Sequence, residues 1–122
     1  MSAYIDHAAY YVSELDWYVD FFAQVFEMTV TKARTGEDGL REVWLSGGIQ
    51  LCQRAEPQRE DGRTAHLCLI VEDVEQARER ALALGCEPMA KHHWVKLPDG
   101  LSLELFNAKP GVLEALNTMV KR

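Results

Sequence analysis

Four polar residues in this sequence are of the types that bind metal ions: two histidines, one glutamine and one glutamate. His7 and His66 each stand near the start of an apolar run, and Gln50 and Glu104 each lie inside a later one. Imidazole and carboxylate groups are ordinary ligands of zinc and other first-row divalent ions, and a glutamine oxygen adds a neutral donor. The set predicts a metal site with one negative protein charge. A divalent ion there would favour an anionic or enolate-like oxygen of a substrate.

The two histidines correspond because the sequence contains the same unit twice. The segment from Asp6, DHAAYYVSELDWYVDFFAQVF, aligns with the segment from Ala65, AHLCLIVEDVEQARERALALG, at an offset of 59 residues. Each segment begins with an apolar strand and continues into an amphipathic helix. Ser13 and Asp73 are the predicted N-caps of the two helices.

Each repeat then continues through three short strands, which gives the predicted order β-α-β-β-β twice. The predicted strands are 5–12, 28–33, 41–45, 48–53, 66–71, 87–91, 93–97 and 101–106. One such unit cannot bury the apolar faces of both its helix and its sheet. The sequence therefore predicts an α+β fold in which two tandem βαβββ units form a curved, eight-stranded mixed sheet around a cleft.

A single domain is expected over residues 1–122. It divides into unit one (1–54), a polar linker (55–63), unit two (64–108) and a C-terminal helix (110–121). A chain of this length can bury a core without disulfides. Three cysteines without a C-x-x-C pair argue against a disulfide framework and favour a reducing, cytoplasmic compartment.

Composition narrows the classes of partner. The net charge is −6, from 13 basic and 19 acidic residues, and nucleic acid binding needs clustered basic side chains instead. No stretch approaches the roughly 20 apolar residues of a membrane span, and the N-terminus shows no secretory signal. A small molecule is therefore the expected partner, with no nucleic acid and no membrane.

Strand alternation predicts which side chains face the cleft. In the last strand of unit two, Leu103 and Leu105 must face the helices, so Glu104 faces the cleft. Gln50 does the same in the last strand of unit one. Four aromatic residues form the predicted walls of the cleft: Tyr11, Trp44, Trp94 and Phe106.

Two charged residues on neighbouring strands allow two interpretations. Glu42 shares a strand face with Trp44, and Lys96 shares one with His92 and Trp94. Either Glu42 and Lys96 are auxiliary acids or bases in the cleft, or they belong to ordinary solvated edge strands. The adjacent His93 is interpreted as structural.

Four segments in order resemble the vicinal oxygen chelate superfamily, which includes glyoxalase I, methylmalonyl-CoA epimerase, extradiol dioxygenases, and fosfomycin and bleomycin resistance proteins. They are the two repeats quoted above, GGIQLC and LPDGLSLELF, and together they cover well over half of the chain. The resemblance implies that His7, Gln50, His66 and Glu104 are the metal ligands. It also implies a homodimer, and it places Glu27 where the family usually ends its first helix with glycine.

The resemblance implies a metal-dependent lyase or isomerase that stabilises an enolate or enediolate of a small carbonyl compound. Glu104 is the first candidate for the base, and Glu42 is the second. The cofactor is expected to be a divalent ion: zinc, nickel, cobalt, manganese or iron. The alternative is a metal-free small-molecule binding protein of the bleomycin-binding type. A third hypothesis, an Fe(II) dioxygenase, is disfavoured because Gln50 would occupy a position that the reaction needs open.

Overall fold

Both repeats fold in the order β-α-β-β-β in a computed structural model that describes residues 3–56, 64–98 and 100–120. The first repeat contains β1 (Ala3–Val12), α1 (Leu15–Phe26), β2 (Val30–Thr35), β3 (Arg41–Leu45) and β4 (Ile49–Gln53). The second contains β5 (Thr64–Val71), α2 (Val74–Ala83), β6 (Glu87–Pro88), β7 (Trp94–Lys96) and β8 (Ser102–Asn107), and α3 (Val112–Val120) follows.

The strands of each repeat are arranged in the same way. In the first, β1 pairs in parallel with β4, and β3 lies antiparallel between β4 and β2. In the second, β5 pairs in parallel with β8, and β7 lies antiparallel between β8 and β6. The eight strands belong to one mixed sheet. Together with the three helices of the described part of the chain, this confirms the predicted α+β class.

The chain separates into two compact units. The amino-terminal unit is His7–His66, and the carboxy-terminal unit combines Met1–Asp6 with Leu67–Arg122. Of the predicted linker 55–63, residues 57–63 lie outside the described residues. So do Asp99, which falls between the predicted strands 93–97 and 101–106, and position 121 of the predicted C-terminal helix. None of the described helices is both long enough and apolar enough to cross a membrane.

Each unit buries its own apolar cluster. In the amino-terminal unit the cluster consists of five residues: Val12, Leu15, Val43, Leu45 and Leu51. In the carboxy-terminal unit it consists of Val71, Val74 and Leu105. Because Leu105 packs beside the start of α2, its strand neighbour Glu104 points to the other side of β8. Leu51 and Gln50 are related in the same way in β4.

The helix ends are fixed by local hydrogen bonds. Asp73 caps α2 as predicted, since its carboxylate accepts from the Gln76 amide at 3.2 Å. Asn107 adds a second acceptor for this end, 2.8 Å from the Val74 amide. The prediction of Ser13 as the cap of α1 is wrong, because the helix begins after Glu14 and no side chain caps it. At the other end of α1, Glu27 adopts a left-handed conformation, with φ 56° and ψ 28°.

Candidate functional site

The two predicted ligand histidines meet in the amino-terminal unit. His7, on β1, is 6% exposed, and its Nε2 lies 3.1 Å from Nε2 of the half-buried His66 on β5. The two rings are nearly perpendicular, at 81°. Two nitrogen ligands that are each about 2.1 Å from one zinc ion lie about 3.0–3.4 Å apart. The observed separation therefore fits two ligands of one divalent ion.

Gln50 presents a buried oxygen that lacks a partner. Its side chain on β4 is 3% exposed, and its Nε2 donates to Oε2 of Glu42 at 3.2 Å. Among the described residues, Oε1 of Gln50 has no hydrogen-bond partner. Leaving a buried polar atom unsatisfied costs about 1–3 kcal/mol. A cation or a polar ligand atom would remove that cost, so this residue also fits a metal site.

Glu42, on β3, is engaged through both carboxylate oxygens. Its Oε1 accepts from Nη2 of Arg34 at 2.9 Å, and its Oε2 accepts from Gln50. Arg34 lies directly opposite it on β2. Arg34 was not among the predicted site residues, although the β2–β3 hairpin places it opposite Glu42. The pairing of Arg34 with Glu42 follows from the register of β2 against β3, and that register depends on the turn between the two strands.

Cys52 lies opposite Glu42 in the β3–β4 register. Burial and, to a smaller extent, the charge of Glu42 raise the pKa of its thiol to about 12, against the lowering effects of Arg34 and Arg54. The thiol is therefore protonated at neutral pH. Cys52 acts as a small buried side chain rather than as a nucleophile.

Two of the predicted wall residues in this unit lie under cations. The Arg54 guanidinium carbon lies 3.4 Å from the centroid of the Tyr11 ring. Nζ of Lys32 lies 4.7 Å from the centroid of the Trp44 ring. Tyr11 and Trp44 are both half-buried. The positive charges of Arg54 and Lys32 therefore lie in the same unit as the two histidines and Gln50.

Glu104 lies in the carboxy-terminal unit, on β8, and its side chain is 15% exposed. Its Oε2 is 3.5 Å from Nε2 of His93. Cys68 lies opposite it on β5 and is completely buried. Burial raises the pKa of the Cys68 thiol, and the charge of Glu104, the charge of Asp6 and a hydrogen bond with Glu104 raise it further.

His93 contacts two of the residues predicted for the site. Besides lying near Glu104, its ring stacks on Phe106 with the centroids 5.6 Å apart. Alternation did not reveal this, because His93 precedes the first residue of β7. Phe106 is 45% exposed. Its assignment to a cleft wall stays a prediction.

Two further candidates are exposed: His92, which lies just before β7, and Lys96, the last residue of β7. His92 lies 2.6 Å from Oε1 of Glu75 on α2. Lys96 pairs in register with Glu87 on β6 and Ser102 on β8. Lys96 is exposed, as the solvated interpretation expects, but β7 is not an edge strand, because it pairs with β6 on one side and β8 on the other.

The two oxygen donors hold equivalent places in the two repeats. Gln50 lies between Ala9 of β1 and Trp44 of β3. In the same way, Glu104 lies between Cys68 of β5 and Trp94 of β7. The repeat found in the sequence therefore extends to the strand register around both donors.

A family model described as "Glyoxalase-like domain" matches residues 6–103. The chain belongs to this glyoxalase-like family. The match confirms the predicted membership in the vicinal oxygen chelate superfamily. It spans the first repeat and most of the second, and it includes three of the four predicted ligands, His7, Gln50 and His66. Glu104 lies one residue beyond its end. No curated protein sequence matches the chain.

Solved structures share the fold of this glyoxalase-like domain. A hypothetical protein of Bacillus halodurans is similar with a TM-score of 0.66 and 15% identity, over 89% of this chain and 96% of that one. A methylmalonyl-CoA epimerase of Mycobacterium tuberculosis gives 0.60 and 20%, over 88% and 89%. A methylmalonyl-CoA epimerase in complex with methylmalonyl-CoA and NH4+ gives 0.61 and 20%, over 87% and 94%. At these identities the likeness shows the fold.

Proposed function

We propose that this glyoxalase-like domain is a metal-dependent lyase or isomerase that acts on a small carbonyl compound. The observation that carries the proposal is the pair of imidazole nitrogens of His7 and His66, 3.1 Å apart. The unpartnered Oε1 of Gln50 adds support, because it is a buried oxygen in the same unit. All three are donor atoms that suit a divalent ion.

The proposed ligands are His7, Gln50, His66 and Glu104. His7, His66 and Glu104 supply two imidazoles and one carboxylate, which are ordinary ligand types for a divalent ion. Gln50 contributes a neutral oxygen at the position equivalent to Glu104. With one carboxylate, a site holding a divalent ion has a net charge of +1.

A divalent ion at this site would act as a Lewis acid that stabilises negative charge on the oxygens of the substrate. Glu104 is the first candidate for the base that moves a proton at the neighbouring carbon, and Glu42 is the second. The proposed cleft walls are Tyr11, Trp44, Trp94 and Phe106.

The solved relatives support the substrate class. One of the structures similar to this chain holds methylmalonyl-CoA, a thioester and hence a carbonyl compound. An epimerase is an isomerase, which agrees with the proposed type of reaction. We also propose a single domain over residues 1–122, a homodimer and a cytoplasmic location, the last because the cysteines are free thiols.

The test is elemental analysis of protein purified without chelators or affinity metal. We expect about one divalent ion per chain in the natural protein and almost none in the His66→Ala variant. His92→Ala is the matched control, because His92 is an exposed histidine that contacts Glu75. It should retain the metal. The analysis also identifies the ion among zinc, nickel, cobalt, manganese and iron.

Protein with bound metal would then be tested for turnover of glyoxalase and epimerase substrates. If the natural protein binds no metal after soaking with excess zinc, nickel or manganese, the metalloenzyme proposal is wrong. The chain would then be tested as a metal-free small-molecule binding protein of the antibiotic-resistance type.

A further inference from the structure

Glu42 lies between an exposed arginine and a proposed metal ligand. Its Oε1 is 2.9 Å from Nη2 of Arg34, and its Oε2 is 3.2 Å from Nε2 of Gln50. Arg34 is mostly exposed, at 64%, whereas the Glu42 side chain is 29% exposed. The ion pair with Arg34 holds one carboxylate oxygen on the solvent side, and the buried amide of Gln50 donates a hydrogen bond to the other.

This contact determines which way the amide of Gln50 points. An ionised carboxylate only accepts hydrogen bonds, so the atom that faces Glu42 must be the NH2 group of the amide. The amide oxygen must then point away from Glu42. The unpartnered Oε1 is the result, since the hydrogen bond with Glu42 satisfies the nitrogen and leaves the oxygen.

An amide that is free to rotate about its last bond would present either atom. The NH2 group has no lone pair to offer a cation, so only one of the two orientations can serve a metal ion. Partners that orient a metal ligand commonly change metal affinity by about 10–100-fold.

We propose that Glu42 is a positioning residue, which holds the Gln50 amide with Oε1 available as a metal ligand. The inference rests on the proposed function. It assigns to Glu42 a role that acts through Gln50 and does not require contact with the substrate.

The experiment compares metal affinities in a double-mutant cycle. Zinc binding is measured by competition with a chromophoric chelator for the natural protein, Glu42→Ala, Gln50→Glu and the double variant. Glu42→Ala should weaken zinc binding by about 10–100-fold. Gln50→Glu removes the orientation requirement, because the two oxygens of a carboxylate are equivalent. Glu42→Ala in that background should cause no loss, or a gain, since it also removes a neighbouring negative charge.

Two controls separate positioning from other effects. Glu37→Ala removes a negative charge from an exposed turn of the same unit and should leave zinc affinity within about twofold. Urea unfolding of all variants reports the stability of the fold. A merely structural role of Glu42 would change stability and would weaken zinc binding equally in both backgrounds.

Three outcomes overturn the inference. Unchanged zinc affinity in Glu42→Ala, while the natural protein binds zinc, would show that Glu42 does not position the amide and would leave the metal site standing. An equal loss in both backgrounds would assign to Glu42 a general electrostatic or structural effect. No zinc binding by the natural protein would overturn the proposed metal site and this inference together.

Discussion

At the scale of single residues, each repeat places a buried thiol beside an acidic side chain. Cys52 lies opposite Glu42, and Cys68 lies opposite Glu104. Burial and the adjacent carboxylates raise both thiol pKa values. Both thiols are therefore neutral at physiological pH. The two thiols therefore add no negative charge near Gln50 and Glu104. The charge of the candidate site is that of its proposed ligands alone.

The raised pKa of Cys52 predicts a loss of stability at alkaline pH. The folded-state pKa is about 12 and the ordinary value is 9.0. Above pH 9 the unfolded chain releases this proton while the folded protein keeps it. The contribution is fully present below pH 9 and is lost as the pH rises from about 9 to 12. Urea unfolding between pH 7.5 and 10.5 should therefore show a steeper decline for the natural protein than for Cys52→Ala.

Cys52→Ala also removes a buried side chain, so its unfolding free energy should be lower at every pH. The informative quantity is the slope above pH 9. Equal slopes for the two proteins would mean that the thiol ionises in the folded protein as it does in the unfolded chain.

Single residues of the candidate site differ in how far the sequence predicts them. The repeat offset locates His7 and His66, because both begin strands whose apolar pattern is clear. The pairing of Arg34 with Glu42 was not predicted, since it depends on which residues of β2 and β3 lie opposite each other. The contacts of His93 were not predicted either, because the predicted strand 93–97 includes His93 whereas β7 begins at Trp94, so strand alternation does not apply to it.

At the scale of elements, the end of α1 contains a strained residue. Glu27 has φ 56°, and the amides of Glu27 and Met28 donate to the carbonyls of Ala23 and Phe22. A left-handed conformation costs a residue with a Cβ roughly 1–2 kcal/mol. The helix nevertheless ends here, because the conformation lets its last carbonyl groups find donors.

Glu27→Gly should therefore stabilise the protein. Glycine adopts the left-handed conformation without a steric cost, although its greater freedom in the unfolded chain offsets part of the gain. We expect an increase of about 0.5–1 kcal/mol in the free energy of unfolding, measured by urea denaturation. Glu27→Ala is the control, since it removes the charge but keeps the Cβ. An equal gain in both variants would point to charge rather than conformation.

The prediction of elements from sequence succeeded where alternation was regular. The predicted strand 41–45 coincides with β3, whose buried residues Val43 and Leu45 alternate with more exposed ones. The predicted strand 87–91 is reduced to β6, Glu87–Pro88. Proline has no amide hydrogen for the ladder and is confined to edge strands or strand ends. Pro88 therefore limits β6 in a way that the apolar pattern does not express.

At the scale of the whole molecule, the two units differ in the size of their buried clusters. Among the described residues, five buried residues form the cluster of the amino-terminal unit, and three form that of the carboxy-terminal unit. Apolar burial contributes roughly 25 cal/mol per Å². The sequence predicted the duplication of the fold but not this inequality, which depends on how completely each helix covers its strands.

This difference predicts unequal local stability. Regions with fewer buried apolar contacts open at lower free energy. Amide hydrogens of β7 should therefore exchange faster than those of β3, the strand at the equivalent place in the other repeat. Hydrogen exchange followed by mass spectrometry measures both in one experiment. Equal or reversed protection of the two strands would show that cluster size does not set the order of opening.

The tryptophans at equivalent places in the two repeats have a practical consequence. Trp44 is the cross-strand neighbour of Gln50, and Trp94 is the cross-strand neighbour of Glu104. The fluorescence of an indole ring responds to charge and to paramagnetic ions close to it. Trp17, which is 59% exposed on α1, is the remaining fluorophore of this kind and can be replaced by phenylalanine. The chain thus contains an optical reporter beside each oxygen donor, so that occupancy can be followed without any added label.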